Sequence, residues 1–235
     1  MSLRINTVVR KIPQIILIIL ALFLLGCLIK VALWEHFYYQ DKEGSIRDQA
    51  IEIGVSVPEP SAVDETPVTD ADKAAHIVSP DKPRYLMGAF MGQHTKARVR
   101  EVGLTSSGAM DTLSGIFDVA WYRNSSKPGQ GGTILMNGHK GGPTRIGIFD
   151  NLDQVRKGDI LTIERGDGAI FKYEVYESQS MPIAQANAYM STMLKSPVPG
   201  KESLSLISCA GDWSQQKRTY NARAMVRAVL VENEE

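Results

Sequence analysis

The sequence contains little cysteine, which limits the disulfide and metal chemistry open to it. Two cysteines, Cys27 and Cys209, and four histidines are spread over 235 residues. No group of cysteines and histidines has the spacing of metal ligands. We therefore predict no metal site and no cofactor.

The sequence also lacks net charge. Lysine and arginine number 26, aspartate and glutamate also 26, and the formal net charge is zero. A protein without an overall positive field has no electrostatic basis for holding nucleic acid. We therefore predict no nucleic-acid partner.

Long apolar runs are absent except at one place, residues 12–34. A bilayer core of about 30 Å needs about 20 apolar residues of helix, and this run supplies them. Arg4, Arg10 and Lys11 precede the run, and the excess of positive charge keeps that side cytoplasmic. The sequence predicts a cytoplasmic tail at residues 1–11 and a single-pass anchor in the plasma membrane, with the rest of the chain outside the cell.

Two alternatives for this run remain open. A cleaved signal peptide needs a shorter apolar region and a small-residue cleavage site. The sequence "LLGC", which ends at Cys27, resembles a lipoprotein processing box, with Cys27 as the lipidated residue. The apolar run continues through Leu33, which favours an uncleaved anchor. Either alternative leaves the remaining chain outside and tethered.

Residues 35–82 are predicted to form a stalk or linker. Between Ser56 and Pro83 the composition shifts to Pro, Asp, Glu, Ser, Thr and Ala without apolar periodicity. Such a segment buries too little apolar surface to offset the entropy of ordering it. The sequence therefore places the folded domain at residues 83–235.

This domain is predicted to be all-β, because short apolar runs alternate with turn residues. One hairpin closes on "GDG" at 166–168, and one short helix is predicted within 183–197. The other predicted strands are Gly132–Gly138, Ser203–Cys209 and Arg223–Glu232. The pattern favours a closed or nearly closed barrel.

Three residues in this domain are candidates for a shared site. Cys209, a thiol without a disulfide partner outside the membrane, ends a strand; such a thiol is a buried structural residue, an intermolecular bridge or a nucleophile. His139 lies where a strand gives way to a glycine-rich loop, and Arg223 opens the last strand. The alternative for His139 is a loop histidine that only faces solvent, and the alternative for Arg223 is a solvated arginine at a strand end.

Four sequence elements resemble the sortase family of cysteine transpeptidases: "TILMNGH" (133–139), "FDNLDQVRKGDILTI" (149–163), "LSLISC" (204–209) and "RAMVRA" (223–228). The segment "VAWYRNSSKPGQGGT" (119–133) further resembles classes E and F. The resemblance implies a closed barrel of about eight strands with short helices. It also implies that His139, Cys209 and Arg223 are catalytic.

The resemblance leaves two residue assignments open. The family usually has threonine before the cysteine, whereas this chain has Ser208, which we predict to contact substrate. Arg218 is an alternative to Arg223 as the catalytic arginine.

The function implied is cleavage of an LPxTG-like sorting signal in surface proteins through a thioacyl-enzyme. The acyl group then passes to an amine of the cell envelope, either a peptidoglycan precursor or a pilin lysine. The alternative is a catalytically inactive sortase-like binding module at the cell surface. An L,D-transpeptidase is disfavoured because the motif "SHGC" is absent, and a papain-like protease because its cysteine precedes its histidine.

Overall fold

The computed structural model describes residues 30, 63–88, 90, 96–106, 108–214, 216 and 219–234. The chain divides into two compact units, residues 1–49 and 50–235, and Lys30 is the only described residue of the first. Within the described residues, no helix is both long enough and apolar enough to cross a lipid bilayer. The predicted anchor at 12–34 lies outside the described residues, Lys30 excepted.

The described part of the second unit is a closed barrel of eight strands in the order β1-β2-β3-β4-β7-β8-β6-β5. The pairs β2–β3 and β4–β7 are parallel, and the other pairs are antiparallel. The strands are β1 Pro83–Met87, β2 Ala97–Val102, β3 Val119–Tyr122, β4 Thr133–Asn137, β5 Ile160–Arg165, β6 Ile170–Pro182, β7 Ser203–Ser214 and β8 Thr219–Glu234. The predicted closed β-barrel is confirmed, as is the hairpin at "GDG", which joins β5 to β6.

Side chains alternate between the interior and the exterior of the barrel along each strand. On β8, Ala224, Val226 and Ala228 point into the main core, as do Leu204 and Leu206 on β7. The largest fully buried side chains include Trp121, Tyr173, Phe149 and Phe171. The interior of the barrel, in the part of the chain that the structure describes, is thus a filled core.

A second apolar cluster lies on the outer face of the barrel, on the opposite side of the sheet from the main core. Its fully buried members are Leu135, Met181, Ala186, Met193 and Met225, and its half-buried members are Met110, Tyr122, Tyr189, Met190 and Ile207. We call these ten residues the outer apolar cluster.

Helix α2, Ile183–Met193, covers part of the outer apolar cluster with Ala186 and Met193. The helix is four residues shorter than the predicted span of 183–197. Pro197 accounts for part of this difference, because a proline disfavours helical geometry in the residue before it.

Residues 63–82 pack against the barrel, which differs from the expectation for a solvated stalk. They contain the short helix α1, Asp70–Ala74, which begins with a capping box between Thr69 and Asp72. His76 Nε2 donates to the Val99 carbonyl (3.0 Å), and Arg84 Nε donates to the His76 carbonyl (2.9 Å). Hydrogen bonds and helix capping, rather than a periodic apolar face, hold this segment against the barrel. Residues 35–62 lie outside the described residues.

Candidate active site

The predicted site residues lie on the neighbouring strands β7 and β8 and just beyond the end of the adjacent strand β4. Cys209 on β7 is paired directly with Arg223 on β8. On the other side of β7, Asn137 of β4 pairs in parallel with Ile207. His139 and Cys209 each follow that pair by two residues, so both come at the same level of the barrel. The structure therefore brings His139, Cys209 and Arg223 together across three adjacent strands. Cys209 and Arg223 were predicted at strand ends but lie within β7 and β8, because these two strands continue to pair as far as Ser214 and Thr219.

Cys209 is a half-buried free thiol on the outer face of the sheet, because it alternates with the inward-facing Ala210. Burial raises the pKa of this thiol, and the positive charges of Arg223 and Lys140 oppose that rise. The neutral thiol is thus the resting form. A thiolate there depends on the two cations, or on proton transfer to a neighbouring base.

His139 is half-buried just beyond the end of β4. Its Nε2 lies 2.7 Å from the Leu113 carbonyl, and because a carbonyl only accepts, Nε2 carries the proton. Burial lowers the pKa of His139, partly opposed by this hydrogen bond. The neutral ring therefore has Nδ1 as its only nitrogen able to take a proton.

A pair of thiolate and imidazolium is not the favoured form of the resting site. Among the described residues, no hydrogen bond joins His139 to Cys209. Both pKa shifts favour the uncharged forms, neutral thiol and neutral imidazole. The ion pair is therefore a minor form in the free protein, reached by moving one proton from sulfur to Nδ1.

Arg223 is buried, with 7% of its surface exposed, and its guanidinium is held by the first residues of β8. Nη1 donates to the carbonyls of Ala222 (2.8 Å) and Tyr220 (3.2 Å), and Nη2 donates to Thr219 Oγ1 at 3.5 Å. No described carboxylate lies within ion-pair distance of it. A fixed cation beside the sulfur can donate to an oxyanion formed there. The alternative arginine, Arg218, lies outside the described residues.

The side chain of Ser208 points to the opposite face of the sheet from that of Cys209, because successive residues of a strand alternate between the two faces. Its side chain is buried, and its Oγ donates to the Gly138 carbonyl at 3.0 Å. The predicted substrate contact by Ser208 has no support in this geometry. The hydroxyl instead ties β7 to the residue that precedes His139.

Sequence reasoning missed three residues around the thiol. Lys140 Nζ donates to the Asp150 carbonyl (2.9 Å), and its charge acts on Cys209. Burial raises the pKa of Tyr220, and the charges of Lys140 and Cys209 also act on it. Trp213 packs edge-on against Tyr220, with ring centroids 5.3 Å apart. The only sequence signal was that Lys140 adjoins His139 and that Trp213 follows Cys209 closely.

The outer apolar cluster continues from this site along the same sheet face. Ile207 lies two residues from Cys209 on β7, and Met225 lies two residues from Arg223 on β8. Side chains two residues apart on a strand share a face, so all four are on the outer face. The site thus combines a thiol, an imidazole and a guanidinium with an apolar floor. Among the described residues, no three histidine, cysteine, aspartate or glutamate side chains come together as metal ligands.

The solved structures that match this chain include several sortases. The match to the SrtA sortase from Actinomyces oris has 16% identity and a TM-score of 0.47, and it covers 73% of this chain and 88% of that one. Sortase C-1 from the same organism matches with 19% identity and a TM-score of 0.48, over 82% and 97%. Sortase A from Listeria monocytogenes matches with 14% identity and a TM-score of 0.48, over 66% and 90%.

No curated protein matches the chain significantly. The model of the sortase domain family matches residues 93–231, which is more than half of the chain and includes His139, Cys209 and Arg223. The chain therefore belongs to the sortase family.

Proposed function

We propose that this protein is a cysteine transpeptidase that acts on sorting signals of surface proteins or pilins. Membership of the sortase family supports transpeptidase chemistry in general. The observation that carries the proposal is the direct pairing of Cys209 with Arg223 across β7 and β8, with His139 just beyond the adjacent end of β4. An inactive binding module has no need of this combination.

In the first half of the proposed reaction, the neutral His139 takes the proton of Cys209 at Nδ1. The thiolate attacks the carbonyl carbon of the scissile amide, and the carbonyl oxygen becomes an oxyanion that accepts hydrogen bonds from Arg223. Collapse of this intermediate breaks the C–N bond, and the imidazolium protonates the leaving amine. The product is a thioester on Cys209.

In the second half, an amine attacks the thioester carbonyl and gives a proton to His139. The C–S bond breaks, the sulfur leaves as a thiolate, and the imidazolium returns the proton to it. The products are a new amide and the free thiol. Throughout both halves, the hydrogen bond from Nε2–H to Leu113 keeps the tautomer in which Nδ1 can exchange protons.

The proposed substrate is an LPxTG-like sorting signal at the C-terminus of a surface protein. The outer apolar cluster adjoins Cys209, and we assign it to the apolar side chain of the signal. The proposed acceptor is an amine of a peptidoglycan precursor or of a pilin lysine. Assignment to class E or F stays a prediction based on residues 119–133.

We also propose that the protein acts at the outer surface of the plasma membrane. The support is the apolar run at 12–34 and the basic residues Arg4, Arg10 and Lys11 on one side of it. Protease treatment of intact cells is expected to remove the domain, and full protection would contradict this topology.

Peptide transfer by the full-length protein tests the proposed activity. An LPxTG-like peptide and an added amine are incubated with the wild type, and the new amide is quantified by chromatography. We expect Cys209→Ala and His139→Ala to form no detectable product, and Arg218→Ala to differ little from wild type. A dead Arg218→Ala beside an active Arg223→Ala would show that the arginine is misassigned. A wild type that binds peptides but transfers none would favour the inactive binding module.

A further inference from the structure

The loop that follows β4 and carries His139 is folded tightly on itself. Its backbone hydrogen bonds run from Gly147 N–H to the Lys140 carbonyl (2.7 Å) and from Phe149 N–H to the His139 carbonyl (2.9 Å). A Cβ on Gly147 would lie 2.4 Å from the His139 carbonyl oxygen, so no larger residue fits there. The position of His139 is therefore coupled to the conformation of the whole loop, residues 139–147, which we call the histidine loop.

The tip of the histidine loop is bound by a carboxylate from outside the barrel. Glu65 accepts hydrogen bonds from the backbone N–H groups of Thr144 (2.8 Å) and Arg145 (3.0 Å), and from the Thr144 hydroxyl. A Cβ on Gly142 would lie 2.3 Å from a Glu65 oxygen, so the carboxylate also packs against the loop backbone. Three donors and a close backbone contact fix the tip to Glu65.

Asp64, the residue before Glu65, holds the loop that contains Leu113, the hydrogen-bond partner of His139. Asp64 pairs in parallel with Gly115: its N–H donates to the Ser114 carbonyl (2.7 Å), and its carbonyl accepts from Ile116 N–H (3.0 Å). The neighbouring Leu113 supplies the carbonyl that accepts the proton of His139 Nε2. Two consecutive residues thus secure both the loop that carries the histidine and the loop that orients its ring.

We infer that Glu65 is a positioning residue for His139: its carboxylate fixes the histidine loop while the adjacent backbone of Asp64 fixes the loop that contains Leu113. The inference rests on the proposed role of His139 in proton transfer. Glu65 touches neither the thiol nor the arginine in the described structure, so its effect passes through the loop.

Loss of the Glu65 carboxylate removes three hydrogen bonds from the tip of the loop, and within the described residues the tip then keeps only the loop's own hydrogen bonds. A looser loop lets the imidazole leave the Leu113 carbonyl and become more exposed to water. Misplacement of a catalytic group by about 1 Å can cost about a hundredfold in rate, so even partial release should slow proton transfer measurably. Substrate affinity should change little, because the outer apolar cluster is on other residues.

The test compares Glu65→Ala, Glu65→Gln and Gly142→Ala with the wild type, all as full-length proteins. Gln keeps one carbonyl oxygen to accept from the loop, whereas Gly142→Ala displaces the carboxylate without altering it. Asp70→Ala is the matched control, because Asp70 is an exposed carboxylate of the same segment, residues 63–82, and Lys73 is its only side-chain partner among the described residues. Thermal unfolding of each variant measures any general loss of stability.

Two readouts separate positioning from general stability. One is the kcat and KM of acylation with an LPxTG-like peptide. The other is the pKa of His139, measured by NMR on histidine-labelled protein and assigned with His139→Gln. The NMR readout needs no catalytic activity. Because burial lowers the pKa of His139 in the intact loop, release of the loop should move that pKa upward.

We expect Glu65→Ala and Gly142→Ala to lower kcat by about tenfold or more, to leave KM within about twofold and to raise the pKa of His139. Glu65→Gln should retain most of both properties, and Asp70→Ala should match the wild type. An unchanged kcat and an unchanged pKa of His139 in Glu65→Ala would overturn the inference. So would an equal loss of kcat in Asp70→Ala, if the loss in each variant simply parallels its drop in melting temperature. If the wild type itself does not acylate, the proposed function fails, and the pKa of His139 alone decides whether Glu65 positions it.

Discussion

Replacing Arg223 with lysine tests whether the shape of the cation, rather than its charge, matters at Cys209. The guanidinium is anchored by Nη1 to two backbone carbonyls, at 2.8 and 3.2 Å, and presents its charge beside the thiol. A lysine ammonium is a point charge on a flexible stem and cannot reproduce this planar fork. We expect Arg223→Lys to keep the charge but to lose the geometry that meets the oxyanion.

The size of the effect follows from the step at which the interaction forms. Removal of one donor to a developing oxyanion typically costs about 10²–10³ in kcat, or about 3–4 kcal/mol. The oxyanion exists only after the thiolate attacks, so the loss should appear in kcat rather than in KM. We expect acylation by Arg223→Lys to be slower by about two orders of magnitude.

The assay is single-turnover acylation, followed by quenching and intact-protein mass spectrometry. Arg227→Lys is the matched control: Arg227 is on the same strand face, equally buried, and binds Glu177 at 2.5 Å instead of facing the thiol. It should lose stability yet acylate within about threefold of the wild type, because no donor to the oxyanion is removed. Acylation by Arg223→Lys at the rate of Arg227→Lys would refute the reasoning.

Three further predictions follow from the same geometry. The pH profile of kcat/KM should be broad, because burial lowers the pKa of His139, which sets the acid limb, and raises the pKa of Cys209, which sets the alkaline limb; a profile no wider than that of an ordinary histidine and cysteine would contradict the shifts. Ser208→Ala should lower the free energy of unfolding, measured by chemical denaturation, by about 1 kcal/mol. It should leave KM unchanged, because the lost hydrogen bond is internal to the protein; a raised KM would support the predicted contact between Ser208 and substrate. A chain starting at Pro83 should melt lower and acylate more slowly than one starting at Val63, and equal behaviour would mean that residues 63–82 are dispensable.

Much of the barrel was predictable because alternation and turn residues are local signals. The hairpin around "GDG" and the strands that hold Cys209 and Arg223 are readable from their own residues. The order of strands is not, because the parallel pairing of β4 with β7 joins segments 70 residues apart in sequence. The structured part of residues 63–82 was missed because hydrogen bonds, and not apolar periodicity, hold it to the barrel.

The site was predictable in its residue types but not in its resting state. Cys209, His139 and Arg223 could be identified from the family resemblance and from their positions at predicted strand ends, although Cys209 and Arg223 prove to lie within longer strands. The hydrogen bond from His139 to the Leu113 carbonyl could not be predicted, because every residue type carries a backbone carbonyl. Glu65 was hidden for a related reason: its partners are the backbone N–H groups of a loop that lies far from it in the chain.

Trapping the acyl-enzyme tests the central claim, that Cys209 is the nucleophile, most directly. Full-length protein is incubated with an LPxTG-like peptide without added amine, then analysed intact and after proteolysis by mass spectrometry. We predict a mass increase equal to the peptide fragment before the scissile bond, located on Cys209, absent from Cys209→Ala and released by an added amine. No adduct on the wild type, or the same adduct on Cys209→Ala with Cys27 as the remaining thiol, would contradict the account.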